Sequence, residues 1–387
     1  MKKRSLLVSL GAVVLAGASL VGCGGKTPNP NMKVAMITDY GDITDESFNQ
    51  ATYEGAKGWC ESNKVDFTYY KPADNTDTER VKSIELAIEK GYNVIVMPGY
   101  AFAPAIEATA SNADYADVKF IALDVAKGDL LAAHFGADYD YNPDNSKWAS
   151  YVLPSNVYCA VYQEELAGYM AGYAAVKEGY THLGFLGGMA VPAVVRYGYG
   201  YVQGCDDAAA GAKIDIKYVY GGQFFGDNDI TQVVNEWYRS GTEVIFSCGG
   251  GIYTSACQAA KDNGGKKVIG VDVDQSVTID TGYGAGMCIT SAMKGLAATV
   301  KTKLQDVVVD GNWSSKIETL GLVSGSDPTL NYVQLPMNTW TMKKFTVDNY
   351  KSLVADLFSK KITVESGIAS TPTVAGTTTV TYLPNIK

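Results

Sequence analysis

Residues 33–70 read KVAMITDYGDITDESFNQATYEGAKGWCESNKVDFTYY, and this stretch decides the fold. The apolar run 33–38 predicts a buried strand. Residues 47–62 predict a helix, since apolar and aromatic side chains recur along them, and residues 65–70 predict a second strand. A strand, a helix and a further short strand in this order form the repeating unit of a parallel sheet.

The same rhythm continues through most of the chain. Further strands are predicted at 94–97, 118–123, 182–186, 214–220, 243–247 and 267–271. Further helices are predicted at 77–90, 102–111, 165–177, 193–210, 229–240 and 253–263. Short apolar strands that alternate with helices favour parallel sheets covered by helices on both faces. We therefore predict an α/β protein of two doubly wound parallel-sheet lobes, joined near residues 154–162 and related by a hinge.

The amino-terminal residues are typical of an exported, lipidated protein. A basic stretch at 2–4 precedes an apolar run at 5–20 that is short for a membrane span. Small residues then lead to Cys23, which predicts a signal peptide over 1–22 and diacylation of the Cys23 thiol. Residues 23–31 predict a flexible lipidated tether, because Gly, Pro and Asn dominate them. The protein is thus expected on the extracytoplasmic face of the cell membrane.

Composition excludes several functions. The net charge is −9, and no basic cluster follows residue 4, so nucleic acid is not expected as a partner. The six cysteines after Cys23 are far apart and show no metal-ligand spacing, so neither a metal nor a cofactor is predicted. Whether these thiols form disulfides is left open by their positions.

The chain also lacks the usual signs of an enzyme. General acid–base catalysis most often uses histidine, and this sequence has only His134 and His182. Neither a GxSxG motif nor a GxxxxGK[ST] phosphate loop occurs. We therefore expect a binding protein, and a hydrolase is the weaker alternative.

Polar residues gather where predicted strands end, which is where ligands bind in doubly wound folds. The residues after the first strand include Asp39, Asp45, Ser47, Phe48 and Asn49. Carboxylates can accept hydrogen bonds from the hydroxyl groups of a neutral ligand, and an aromatic ring offers a flat face. Asp45 or Ser47 could instead cap the following helix. A later strand end carries a glycine triplet at 249–251, which would allow close backbone approach to a polar ligand.

Several of these motifs, taken in order, resemble the basic membrane protein (BMP) family, whose members are nucleoside-binding lipoproteins of ABC importers. The similarity extends from about residue 32 to 304, and little is recognisable after 310. The matching segments are Asp45–Asn49, 99–102, 165–172, 187–192 with Arg196, Tyr197 and Gly204, 270–275 and 291–294.

The resemblance implies a type I periplasmic-binding-protein-like fold and a nucleoside bound between the lobes, with a purine nucleoside favoured. It implies that Phe48 and Phe225 stack on the base, although Phe224 could replace Phe225. Ser47 and Asn49 would contact the ligand, and Asp124 is a candidate for the base edge. Asp272, at the end of a predicted strand, would bind the ribose hydroxyl groups with Lys294 beside it, and Asp274 is the alternative for this role. Gly250 would offer backbone N–H groups. Permease and ATPase subunits are the implied protein partners.

The expected lobe boundaries and two alternative functions complete the prediction. The amino-terminal lobe is expected to span 32–157 with about 288–325 added, and the carboxy-terminal lobe 158–287 with part of 326–387. The role of 366–387 is not readable from the sequence. A ribose-like sugar receptor of the same fold is one alternative function. A surface adhesin is another, suggested by the 26 tyrosines.

Overall fold

The computed structural model describes residues 26–138, 146–367 and 371–387. The signal peptide and the lipidation site predicted at 1–22 and Cys23 lie outside these residues. The strands, in chain order, are β1 (Val34–Ile37), β2 (Phe67–Tyr70), β3 (Val94–Pro98), β4 (Lys119–Leu123), β5 (Val157–Tyr162), β6 (His182–Gly187), β7 (Ile214–Tyr220), β8 (Val244–Cys248), β9 (Lys267–Asp272), β10 (Cys288–Lys294), β11 (Lys316–Leu320), β12 (Val333–Gln334) and β13 (Thr378–Tyr382). The α-helices are α1 (Phe48–Asn63), α2 (Asp77–Glu89), α3 (Ala103–Thr109), α4 (Lys127–Phe135), α5 (Ser146–Ser150), α6 (Glu164–Glu178), α7 (Pro192–Ala208), α8 (Asn228–Arg239), α9 (Tyr253–Asp262), α10 (Ser276–Tyr283), α11 (Leu296–Leu304) and α12 (Val347–Phe358).

The strands form two sheets, which confirms the prediction of two doubly wound lobes. The first sheet has the order β11-β5-β4-β3-β1-β2, and the second has the order β12-β10-β9-β8-β6-β7-β13. The pairings are parallel except for the short β12, which runs antiparallel to β10. Strands β1, β3 and β8 are buried along their whole length, as expected where helices cover both faces of a sheet.

The chain passes between the lobes at points that differ from the expected boundaries. Strand β5 belongs to the first sheet, although residues 154–162 were expected to be the connection and 158 the start of the second lobe. Strand β10 belongs to the second sheet, although 288–325 was expected to join the first lobe. The chain thus crosses after β5, after β10 and after β11. Strand pairing decides these points, and pairing cannot be read from a local apolar pattern.

The second lobe begins with two helices that pack unusually closely. A β-carbon at Gly168 of α6 would lie 2.0 Å from the carbonyl oxygen of Tyr197 in α7. A β-carbon at Gly200 of α7 would lie 1.8 Å from the carbonyl oxygen of Glu165 in α6. Gly172 and Gly204 repeat this contact one turn further along each helix. Glycine at these positions therefore lets the two backbones touch, which fixes the first turns of both helices beside the cleft.

Both ends of the described chain are held against the lobes. The backbone N–H of Asn29 donates to the carbonyl oxygen of Val308 over 2.8 Å, and the Lys26 ammonium group lies 3.5 Å from Asp310. The last part of the predicted tether is therefore docked on the first lobe, contrary to the expectation of a free linker. At the other end, β13 pairs with β7, so part of 366–387 adds a strand to the second sheet. In residues 26–138, 146–367 and 371–387, no helix has both the length and the apolar character needed to cross a bilayer.

Candidate ligand-binding site

A cavity of about 400 Å³ lies between the lobes, at the carboxyl ends of the strands of both sheets. Nine of the ten predicted ligand-binding residues line it, namely Asp39, Asp45, Phe48, Asn49, Asp124, Phe225, Gly250, Asp272 and Lys294. Ser47 is the exception. Its side chain is fully buried, and its hydroxyl group donates to Asp272 Oδ2 over 2.6 Å. Ser47 therefore supports another site residue instead of facing the cavity.

Two of the aspartates that line the cavity have an unusual backbone conformation. Asp124 follows β4 with φ of 57°, and Asp272 ends β9 with φ of 64°. Both values lie in the left-handed region, which aspartate tolerates better than most residues. Local strain of this kind collects at functional sites, where the surrounding fold maintains it. The two sheets thus present an aspartate in the same way from opposite sides of the cleft.

Lys294 joins these carboxylates in a buried cluster. Its ammonium nitrogen lies 2.5 Å from Asp124 Oδ2, 3.6 Å from Asp272 Oδ1 and 3.6 Å from Glu164 Oε1. Only 3% of the lysine side chain is exposed. Since Asp124 comes from the first lobe and Lys294 from the second, this ion pair also connects the lobes. We call Asp124, Glu164, Asp272 and Lys294 the floor: Asp124, Asp272 and Lys294 line the cavity, and Glu164 is fully buried beside Lys294.

A second cation balances the floor. Arg196, near the start of α7, donates from Nε to Glu164 Oε2 over 2.6 Å, and Glu164 is fully buried. Arg196 therefore has a partner in the site, which the sequence alone left undecided. Glu164 was missed by sequence reasoning. The available signal was a pair of adjacent glutamates opening a helix that is otherwise apolar or small.

Burial and charge act against each other on the pKa values of this cluster. Burial lowers the pKa of Lys294, but the carboxylates of Asp124, Asp272 and Glu164 outweigh it and raise the pKa overall. Burial also raises the pKa of Asp124, which the nearby ammonium group of Lys294 opposes. Lys294 therefore stays protonated at neutral pH, and the floor remains a compact arrangement of opposite charges.

Some polar atoms of the cavity still lack a partner. Asp124 Oδ1 and Asn49 Oδ1 are buried without a hydrogen-bond donor among the residues that the structure describes. Both residues line the cavity. A buried acceptor without a donor is costly, so a ligand that carries hydrogen-bond donors would gain by entering.

The carboxylates of Asp39 and Asp45 mainly accept hydrogen bonds from backbone N–H groups. Asp39 Oδ1 accepts from the N–H groups of Tyr40 and Gly41 over 2.6 and 2.7 Å. Burial raises the pKa of Asp39, and these hydrogen bonds oppose the rise. Asp45 accepts from the N–H groups of Ser47, Asn49 and Gln50, so it fills the helix-capping role considered from the sequence.

Aromatic rings line the cavity beside and above the floor. The ring of Phe48 lies beneath the Lys294 ammonium group, 4.7 Å from ring centre to nitrogen. Phe224 packs closely against the backbone at Gly188 and Gly249, and its ring centre is 6.4 Å from that of Tyr40. Phe225 is 62% exposed. Tyr40, Phe224 and Phe225 form what we call the mouth of the cavity.

The cysteines, the histidines and Asp129 bear on the enzymatic alternative, and of these Cys248 and Asp129 line the cavity. Cys60, Cys159, Cys205, Cys248, Cys257 and Cys288 are buried and unpaired in the structure. His134 pairs with Glu107, and His182 lies beside Asp215 and Glu243; neither histidine lines the cavity. Burial raises the pKa of Asp129, which lines the cavity, to about 6.

Known proteins are similar to this chain in sequence and in fold. The family described as "ABC transporter substrate-binding protein PnrA-like" matches residues 32–338. The ABC transporter nucleoside-binding protein BmpA of Lactococcus lactis is 28% identical over 392 residues, covering 95% of this chain and all of that protein. An uncharacterised lipoprotein of Pyrococcus abyssi is 24% identical over 94% of this chain and 87% of its own length. A solved solute-binding protein of an ABC transporter system from Conexibacter woesei superposes with a TM-score of 0.64 at 19% identity, covering 87% of this chain and 99% of that one.

Proposed function

This chain belongs to the family of PnrA-like ABC transporter substrate-binding proteins, and from that premise we propose that its cavity binds a nucleoside, with purine nucleosides preferred. The observation that carries the proposal is the combination of a carboxylate-rich floor and aromatic rings in one cavity. A nucleoside has a planar base to stack on rings and a ribose whose hydroxyl groups donate hydrogen bonds. Members of this family deliver a solute to the permease and ATPase subunits of a transporter. We propose that this protein, with its ligand bound, does the same.

The base would lie between Phe48 and Phe225. Stacking of a base on an aromatic ring contributes about 1–3 kcal/mol in other proteins. Phe48 lies beside the floor in contact with Lys294, whereas Phe225 is exposed at the mouth, so its ring is accessible to the second face of a base. Phe224 is held against the backbone at Gly188 and Gly249, so Phe225 is the better candidate for the second stacking ring.

The ribose would lie against Asp272. Its Oδ2 accepts from Ser47, and its Oδ1 lies 3.4 Å from the Tyr197 hydroxyl group and 3.6 Å from Lys294 Nζ. A carboxylate oxygen has two lone pairs, so each oxygen can accept a further hydrogen bond from a ribose hydroxyl group. Asp124 Oδ1 would accept from the edge of the base, since it has no donor of its own among the described residues.

The charge of the cavity favours a neutral ligand. Six aspartates line it, against three cations, Lys71, Arg196 and Lys294. The aspartates are Asp39, Asp42, Asp45, Asp124, Asp129 and Asp272. A phosphate group would meet like charges, which costs several kcal/mol in a buried site. Nucleosides should therefore bind and nucleoside monophosphates should not.

We further propose that the mature protein is anchored through diacylated Cys23 on the extracytoplasmic side of the membrane. The basic residues 2–4, the apolar run that follows and the small residues before Cys23 support this proposal, as does the lipoprotein name of the Pyrococcus relative. Radiolabelled palmitate should enter the wild-type chain in its host. It should not enter a Cys23→Ala variant.

Titration calorimetry tests the ligand. The chain from residue 24 onward is unfolded and refolded to remove any carried ligand, then titrated with guanosine, inosine, adenosine, cytidine and uridine. Ribose and guanosine monophosphate serve as controls. Binding of nucleosides without binding of ribose supports the proposal. Binding of ribose alone would assign the cavity to a sugar, and no heat from protein with a folded circular-dichroism spectrum would contradict the nucleoside proposal.

A further inference from the structure

The mouth of the cavity is supported by a part of the chain that lies far beyond the family match, which ends at residue 338. Strand β13 runs parallel to β7, with Thr378 opposite Ile214 and Tyr382 opposite Tyr218. Strands of a parallel sheet all end at the same edge. The residues after β13 must therefore emerge at the edge where the ligand cavity lies.

The chain continues along β7 after β13 ends. The N–H of Leu383 donates to the carbonyl oxygen of Tyr218 over 2.9 Å, and the N–H of Ile386 donates to that of Tyr220 over 3.0 Å. Tyr220 is the last residue of β7, directly before the loop that carries Phe224 and Phe225. Residues 383–387 thus follow the strand to the start of the mouth loop, which we define as residues 221–227.

The mouth loop has room for this segment only because it contains glycine. Gly222 has φ of 84°, a left-handed conformation, and a β-carbon placed on it would lie 2.7 Å from the carbonyl oxygen of Lys387. The end segment and the loop are therefore in direct backbone contact.

Side chains continue the connection to Phe225. The Lys387 ammonium group pairs with Asp227 Oδ2 and lies 3.6 Å from Asp229 Oδ2. Asp227 Oδ2 also accepts from Gln223 Nε2 over 2.8 Å, and the same Nε2 donates to the carbonyl oxygen of Phe225 over 3.0 Å. A short chain of contacts thus leads from Lys387 through Asp227 and Gln223 to the backbone of the exposed ring.

Phe225 needs such support because burial does not supply it. Its side chain is 62% exposed, and its backbone touches the opposite loop through a single bridge to Gly251. An exposed side chain gains little from packing, so its position depends on the backbone that carries it.

We propose that residues 383–387 are a positioning segment that holds the mouth loop, and Phe225 with it, in the conformation that covers the ligand. Lys387 is a positioning residue, since it touches the loop and not the cavity. Its effect on affinity rests on the proposed function, whereas its effect on the loop does not depend on any ligand.

Hydrogen exchange on the ligand-free protein tests the positioning directly. The chain from residue 24 onward is compared with a variant that ends after Tyr382, which keeps β13. We expect amide exchange of peptides covering 221–227 to rise at least about tenfold, because the loop opens locally, while peptides covering β8 and α7 keep their rates. Unchanged exchange in the mouth loop would overturn the proposal, and so would a uniform rise throughout the second lobe.

Point variants keep the test decisive if the shortened chain is unstable. Lys387→Glu places a like charge beside Asp227 and Asp229, and it should raise loop exchange about two- to fivefold, since an exposed pair is worth little. Lys387→Arg keeps the positive charge, so its mouth loop should exchange at the wild-type rate. Equal rates for the Glu and Arg variants would show that the contact does not position the loop.

The affinity measurement separates this inference from the nucleoside proposal. For whichever nucleoside binds best, the shortened chain should bind up to about threefold more weakly through faster dissociation, because the two backbone hydrogen bonds and the charge pair that hold the loop carrying Phe225 are lost. If no nucleoside binds the wild-type chain, the function proposal fails. The exchange result still decides whether the segment positions the loop.

Discussion

The floor and the mouth of the cavity contrast in burial and in the forces that hold them. At the floor, 3% of the Lys294 side chain is exposed, and it lies among three buried carboxylates. At the mouth, Phe225 is 62% exposed and depends on a loop and on residues 383–387 for its position. Charges held in a dry interior cannot reorganise cheaply, whereas an exposed ring on a loop can. The floor should therefore set which chemistry binds, and the mouth should tune how long the ligand stays.

The largest expected effect comes from removing the floor's cation. Lys294→Met leaves the carboxylates of Asp124, Glu164 and Asp272 buried with Arg196 as the nearest remaining cation. Breaking a buried ion pair in this way costs about 3–5 kcal/mol. We expect the free energy of unfolding, measured by urea denaturation, to fall by that amount.

Lys301→Met is the matched control, since Lys301 is an exposed residue of α11 and receives the same substitution. It should change the stability by less than about 0.5 kcal/mol. The double variant Lys294→Met with Asp124→Asn should recover part of the loss, because one unpaired charge is removed. If Lys294→Met lowers the free energy of unfolding as little as Lys301→Met does, the floor does not depend on its buried ion pairs. The contrast between floor and mouth would then be wrong.

The second expected effect concerns Glu165, the neighbour of the floor residue Glu164. Burial raises the pKa of Glu165 to about 7, so the folded protein holds this proton more tightly than the unfolded chain. Stability from this group is complete below the unfolded pKa of 4.5 and is lost as the pH rises through about 7. Glu165→Gln should therefore be more stable than wild type at pH 8, by up to about 3 kcal/mol, and nearly equal at pH 4.5.

Urea denaturation at pH 4.5, 6 and 8 measures this difference. Glu89→Gln, at an exposed position of α2, controls for the substitution itself. A Glu165→Gln variant that loses stability at pH 8 would mean that the ionised carboxylate is needed beside the floor. The stability of the buried cluster would then depend on the charge of Glu165 as well as on the charges of the four floor residues.

The fold was predictable because it depends on local pattern, and most of the cavity followed from it. Apolar runs marked β1, β3 and β8, and polar residues after such runs marked the cavity, since parallel strands end at one edge. Asp124 and Asp272 follow such runs, and the family resemblance pointed to them as ligand-binding residues. The lobe crossovers after β5 and β10 were not, because strand pairing depends on contacts that no local pattern contains.

The arrangement of the floor could not be predicted either. Asp124 and Lys294 are 170 residues apart in sequence and come from different lobes, yet their charged atoms are 2.5 Å apart. Ser47 shows the converse error, because its place in a recognisable motif suggested ligand contact while its hydroxyl group supports Asp272. A motif identifies which residues matter more easily than it identifies what each one touches.

The third prediction compares one ring beside the floor with one at the mouth. Phe48→Ala should weaken nucleoside binding about 10- to 100-fold, since a fixed stacking face is worth about 1–3 kcal/mol. Phe225→Ala should weaken it less, about threefold, because an exposed ring must first be ordered by the ligand. Titration calorimetry of both variants with the same nucleoside gives the ratio, and Phe358→Ala, on the exposed side of α12, is the control. Equal losses for Phe48 and Phe225 would mean that both rings are fixed in the bound state.

The smallest expected effect lies at the edge of the cleft, where neither floor nor mouth is involved. Thr278 of α10 donates from its hydroxyl group to Glu46 Oε2 over 3.0 Å, and Gln275 Nε2 donates to the carbonyl oxygen of Glu46 over 2.9 Å. These bonds join the second lobe to the first without lining the cavity, so they favour the closed cleft whether or not a ligand is present. Thr278→Val keeps the shape and removes the hydroxyl group, which should weaken nucleoside binding about two- to fivefold.

Stopped-flow measurement of the Thr278→Val variant would separate closure from ligand contact. A lost closing bond should raise the dissociation rate and leave the association rate nearly unchanged, because the ligand enters the open form in both proteins. Thr302→Val, on the exposed face of α11, should alter neither rate. If Thr278→Val has no effect on dissociation, the remaining contacts between the lobes are sufficient to hold the cleft closed, and the Thr278 bond does not control residence time. Those contacts include Asp124–Lys294, Ser47–Asp272 and Gln275–Glu46.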